Sequence, residues 1–132
     1  MTENQLASVV FRLGMKIHRE LGPGLLESVY EECLCYELIK QGVQFERQKE
    51  IPLIYRGVRL QSKLKLDFLV ENKLIIELKS VNKIDPVHLA QTLTYLKLSQ
   101  CKLGLLINFN TSLFKNGVQR VINGSLNEVE GN

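Results

Sequence analysis

Long apolar runs are missing from this sequence. The best candidates, Leu103–Ile107 and Leu74–Ile76, have the length of core strands, so no membrane span is expected. Cysteine is scarce and odd in number: Cys33, Cys35 and Cys101 cannot all pair among themselves, and Cys33-x-Cys35 lacks the spacing of a zinc or redox motif. Reduced thiols in or near the core are the expectation. The opening stretch MTENQLASVVFRLG lacks a basic segment followed by an apolar stretch and a small-residue cleavage site, which argues against secretion and for a cytoplasmic location. Strong charge of one sign is also absent. A net charge of +3 with scattered bases allows an anionic partner without requiring one.

What is present is ordinary in amount. A chain of 132 residues, 45% hydrophobic and 23% charged, suits one domain able to bury its own core. That domain is expected over residues 1–122, with a polar tail at 123–132.

Thr2-x-x-Gln5 makes a capping box, and Leu6, Val9, Val10, Leu13 and Ile17 recur at helical spacing to about Glu20. Leu21-Gly22-Pro23-Gly24 ends that helix. His18 reads as a cation near its C-terminus. A second helix runs from Leu25 or Leu26 to about Gln41, with Gly42 as its stop. Its apolar set, Leu26, Val29, Tyr30, Cys33, Leu34 and Leu38, covers more than one face. On the helical wheel Glu27 falls inside that sector and points inward, Glu31 and Glu32 lie nearer its margins, and Glu37 is a second inward acid whose role stays open. Either inward acid could equally be a carboxylate at the stripe edge, satisfied by hydrogen bonds.

Residues 43–60 read as a bent or edge strand limited by Pro52, and Tyr55-Arg56-Gly57-Val58 as a turn into the next strand. The bases Arg47, Lys49, Arg56, Arg59, Lys63 and Lys65 gather here; they suit nucleic-acid contact or a solvated sheet face equally. Lys63–Ser80, KLKLDFLVENKLIIELKS, then reads as two strands joined by Glu71-Asn72-Lys73. If Val70 pairs with Leu74, Asp67 stands opposite Glu77, and Lys79 shares their face. Charged groups at the end of an apolar strand need a reason. Facing carboxylates can hold a hard divalent cation, with a lysine to orient or deprotonate water; an exposed cross-strand ion pair is the plainer alternative.

The stretch resembles the signature of the PD-(D/E)XK nuclease superfamily, in which an Asp ends or bends one strand and Glu-x-Lys lies on the next. Leu66 departs from that pattern by replacing the proline before the Asp. Gly24-x-x-Glu27-x-x-Tyr30, preceded by Leu21-Gly22-Pro23, resembles the motif of the GxxExxY proteins, a small bacterial branch of the superfamily. The resemblance implies that Glu27 completes the acidic cluster.

Asp85-Pro86 opens a third helix, Val87–Leu98, with Leu89, Leu93 and Leu96 on its core side and His88, Gln91, Thr92 and Tyr95 as a polar ridge. Gln91-x-x-x-Tyr95 resembles a Gln-x-x-x-Tyr that borders the active site and positions nucleic acid in part of the superfamily. Lys102–Asn108 is a further strand, parallel to Leu74–Lys79 through a right-handed crossover. Phe109–Ile122 adds a loop and a short helical or extended segment, in which Lys115 and Arg120 could contact phosphate.

The fold class so implied is α/β: a restriction-endonuclease-like core with three antiparallel strands plus one parallel strand, helices on both faces, and an extra N-terminal helix. The resemblance implies a metal-dependent nuclease in which Glu27, Asp67 and Glu77 hold Mg2+, or Mn2+ in its place, Lys79 assists the attacking water, and Gln91 and Tyr95 contact substrate. The implied partner is nucleic acid, DNA first, and a homodimer is compatible with it. The rival reading is a non-catalytic nucleic-acid-binding or scaffold module that keeps the nuclease fold.

Overall fold

The computed structural model describes residues 1–126, so positions 127–132 of the expected tail lie outside the described residues. The elements are α1 (Glu3–Leu21), α2 (Glu27–Gln41), β1 (Phe45–Tyr55), β2 (Val58–Val70), β3 (Leu74–Lys79), α3 (Pro86–Ser99), β4 (Leu103–Asn108), a 3-10 turn at Phe114–Gly117 and β5 (Val118–Ile122). The sheet runs β1-β2-β3-β4-β5, and only β3 and β4 are parallel. This is the expected restriction-endonuclease-like α/β architecture, extended by one edge strand that the sequence left undecided.

The expected capping box starts α1: the Gln5 amide donates to Thr2 Oγ1 at 3.2 Å, and the Thr2 amide donates to Gln5 Oε1 at 2.9 Å. Leu6, Val10, Leu13 and Ile17 then bury one face of the helix. With α2 they cover one side of the sheet, against Phe68, Val70, Leu74, Ile76 and Leu78. On the other side α3 packs Tyr95 and Leu96 over Ile75 and Leu69. Strand β4 is buried along its whole length, as a parallel strand covered on both faces must be. His18 lies in the last turn of α1, where the sequence placed it. It is buried, and its Nε2 lies 2.7 Å from the Thr111 carbonyl oxygen, tying α1 to the loop after β4.

The β2–β3 hairpin has the expected loop and register, Val70 facing Leu74, Leu69 facing Ile75 and Phe68 facing Ile76. Glu71 and Asn72 take φ of 48° and 56° to turn it. Apolar residues of β2 change cores across Asp67: Phe68 and Val70 belong to the α1/α2 side, whereas Leu66 and Leu64 belong to the α3 side. The neighbouring strand does the same, Phe45 packing on the first core and Ile51 on the second. A period of two would keep these residues on one face. The strand pair is therefore re-faced at one step, where Gln48 adopts a φ of 52° opposite Asp67, between the pairs Arg47–Phe68 and Lys49–Leu66. Beyond that step the hairpin runs on as a two-stranded ribbon to the Arg56-Gly57 turn, both of whose residues have positive φ.

Candidate active site

Strands β2 and β3 part at the residue after Phe68 and Ile76. Continuing the register puts Asp67 opposite Glu77, as the sequence led us to expect, but the backbones no longer bond there. Side chains take over. The Asp67 amide donates to Glu77 Oε2 and the Leu78 amide donates to Asp67 Oδ2, both at 2.8 Å. Each carboxylate thus stands in for a ladder carbonyl and satisfies an amide that burial would otherwise orphan.

Holding two acids this way is electrostatically uphill. Burial, followed by the charge of Asp67, pushes Glu77 up to about 8, although the Asp67 amide and the Lys79 ammonium act against it. Asp67 is raised as well, first by burial and then by the charges of Glu31 and Glu27, with the Leu78 amide and Lys79 opposing. Tyr95 of α3 is raised by burial and then by Glu77 and Asp67, which puts its hydroxyl within electrostatic reach of the pair. Glu27, Glu31, Lys79 and Tyr95 therefore all bear on the fork between β2 and β3.

The first turn of α2 is aimed there by a staple. The Tyr30 hydroxyl donates to the Gly22 carbonyl at 2.6 Å and accepts from the Leu25 amide at 3.1 Å, and its ring stacks on Phe109 with centroids 4.3 Å apart. The loop so closed includes Gly24 at a φ of 95°, a backbone angle that glycine adopts without strain. Ser80, directly after Lys79, donates its hydroxyl to the Leu25 carbonyl at 2.5 Å. Glycine, glutamate and tyrosine at this spacing thus form one device, a turn, an acid and the bolt that closes the turn, and Ser80 ties that turn to the end of β3.

One sequence expectation needs correction. Glu27 does not sit in the apolar sector of the wheel. It is exposed, because at the first position of α2 the helix has not yet met the sheet. Glu37, whose role the sequence left open, faces α1 and is satisfied there, its Oε1 lying 3.2 Å from Lys16 Nζ. Among the described residues no three acid, histidine or cysteine side chains converge as a ready metal cage. Asp67 and Glu77 are each turned onto a backbone amide. Gln91 is exposed on α3, whereas Tyr95 is buried beside the acids.

Two residues join the site that the wheel and the strand count did not single out. Gln48 Nε2 donates to Glu31 Oε1 at 2.6 Å and to Asp67 Oδ1 at 3.3 Å, linking α2 to the fork. Arg47 Nε donates to Glu31 Oε2 at 2.7 Å and fixes the other oxygen. Glu31 lies one turn after Glu27, and that spacing was the available signal. Nothing in the sequence marks the left-handed backbone that directs Gln48.

The donor set suits a hard cation. Asp67, Glu77 and Glu27, with Glu31 one bond further out, offer carboxylate oxygens only, the preference of Mg2+ and Mn2+. Buried Glu77 and half-buried Asp67, both held above their ordinary range, are also groups whose charge a divalent ion would relieve.

A family model described as the PD-(D/E)XK nuclease superfamily matches residues 4–121. No curated protein and no solved structure matches the chain. The family match spans nearly all of the described residues, and the chain belongs to the PD-(D/E)XK nuclease superfamily.

Proposed function

From that membership we propose that the chain is a metal-dependent nuclease hydrolysing phosphodiester bonds of DNA, and that Gly24-x-x-Glu27-x-x-Tyr30 places it in the GxxExxY branch. The observation that carries the reading is the carboxylate exchange at the strand fork, where Asp67 and Glu77 replace the last rung of a buried ladder. A salt bridge built only for stability would pair each acid with a cation. Here the acids face each other, and among the described residues Lys79 is the cation that acts on both.

Asp67 and Glu77, completed by Glu27, would hold Mg2+ or Mn2+, and Gln48 and Arg47 keep Glu31 close behind them. The ion, when bound, supplies polarisation of the scissile phosphate and neutralises charge on the departing oxygen. Lys79 presents an ammonium beside the acids and orients the attacking water through hydrogen bonding. Tyr95 can donate a hydrogen bond to a phosphate oxygen, since burial and the neighbouring acids favour its neutral form. Gln91, exposed one turn earlier on α3, would meet the nucleic acid further out.

The test is cleavage of linear and supercoiled DNA in Mg2+ against a chelator control, for the natural chain and for Asp67→Asn. Cutting that needs both the metal and Asp67 is the expected result. A second reading is a non-catalytic nucleic-acid-binding module that keeps the nuclease fold and the exposed bases of the β1–β2 ribbon. Binding of DNA by the natural chain with no cutting in Mg2+ or Mn2+ would establish that reading instead.

A further inference from the structure

The distal β1–β2 ribbon is exposed on both faces from Pro52 to Lys65, apart from half-buried Leu53 and Leu64. An isolated two-stranded ribbon is only marginally stable in water, so one that projects this far calls for a partner. Between Ile51 and Lys65 it carries Arg56, Arg59, Lys63 and Lys65 and no acid. None of these four forms an ion pair among the described residues. Strand pairing sets Lys65, Lys63 and Arg59 across from Glu50, Pro52 and Ile54, alternate residues of β1, and so on one face despite a register shift between Lys63 and Arg59; Leu64 lies on the opposite face and packs on the α3 core. Glu50, across from Lys65, is the one acid bordering that row, and it lies at the end nearest the body of the protein. The row continues along the strand that holds Asp67, reaching roughly 25 Å from it at about 3.3 Å per residue.

We infer that this ribbon is an arm that binds duplex DNA by reaching phosphates with Arg59, Lys63 and Lys65, and so delivers the duplex to the strand fork. The inference rests on the nuclease reading for the delivery, but the binding stands apart from catalysis. Charge complementarity favours a polyanion, and the chemistry of the face narrows which one. Single strands are gripped by stacking on aromatic groups, and the cationic face has none, because Tyr55 pairs with Val58 on the other face. The major groove of B-form DNA admits a two-stranded ribbon, whereas the deep, narrow groove of duplex RNA does not.

The experiment is fluorescence anisotropy of the full chain with a labelled DNA duplex, the matching single strand and the matching RNA duplex, all in EDTA so that nothing is cut. The natural chain is expected to bind the DNA duplex tightest. The double variant Arg59→Gln/Lys63→Gln should raise Kd for that duplex by at least about tenfold at 0.1 M salt, and lower the salt-dependence slope by about 1.8 if both side chains neutralise phosphates. Arg59→Lys/Lys63→Arg keeps the charges and should restore binding. Unchanged affinity and slope on duplex DNA, or an effect confined to the single strand or the RNA, would overturn the inference. Glu77→Gln provides the separation from catalysis: it should lose cutting and keep arm-dependent binding, so a failed nuclease reading and a failed arm give different results.

Discussion

The two ends of the β2–β3 hairpin are made from the same strands and do opposite work. Next to the turn, Val70–Leu74, Leu69–Ile75 and Phe68–Ile76 pair through their backbones, and all six side chains are buried. One rung further, Asp67 and Glu77 fill the backbone positions with carboxylates, and burial leaves both acids above their ordinary range. A ladder that satisfies itself only needs apolar cover, but one that ends on charged groups needs something to offset them. The first end makes the fold and the second makes the candidate site.

Exchanging the chemistry at each end should expose that division. At the fork, Asp67→Asn or Glu77→Gln keeps an oxygen able to accept the amide bond, so urea unfolding should show a loss of no more than about 1 kcal/mol near pH 5, turning to a gain at higher pH where the natural acids are charged. Cleavage in Mg2+ should nevertheless fall by about a thousandfold or more, the scale at which loss of transition-state charge stabilisation is felt. At the turn end, Phe68→Ala should cost about 3–5 kcal/mol of stability, and any lost cutting should track the unfolded fraction. Equal stability losses at the two ends would erase the distinction.

A smaller effect concerns pH in the presence of a chelator. Glu77 is raised from 4.5 to about 8 in the folded chain, so folding favours its protonated form. Its contribution is fully present below the unfolded value and is lost as pH rises through the folded one, and raised Asp67 acts in the same sense. The metal-free melting temperature should therefore decline between about pH 5 and pH 8, and Glu77→Gln should flatten the decline, both readable by calorimetry. A melting temperature that rises over this interval would contradict the electrostatics of the fork.

The smallest effect separates the staple from the core. Tyr30→Phe keeps the stacking on Phe109 but removes the bonds to Gly22 and Leu25, at a cost of about 1–2 kcal/mol. Freed at its first turn, α2 should also hold Glu27 less well, so kcat should drop several-fold beyond the loss of stability. Tyr36→Phe, at an exposed ring on the same helix, should change neither.

Much of this was legible in the residues themselves. The polar triplet Glu71-Asn72-Lys73 set the hairpin register, which alone brings Asp67 opposite Glu77, and the capping box and Asp85-Pro86 placed α1 and α3. Strand β5 was not legible as a strand, because Val118–Ile122 is short, has Gln119 and Arg120 at its centre, and becomes a strand only by pairing with buried β4. The wheel of α2 misled for a similar reason. Its apolar residues spread so broadly that no single face says where the sheet lies, and Glu37 turned out to face Lys16 of α1. Gln48 was hidden more deeply, since its role depends on a left-handed backbone that its side chain does not announce.

The central claim is that the fork is a site for a hard divalent cation. Isothermal titration of Mn2+ into the natural chain and into Asp67→Asn tests it most directly. The account expects saturable uptake by the natural chain and its loss in the variant, with both proteins folded. No uptake by the natural chain, or equal uptake by both, would contradict it.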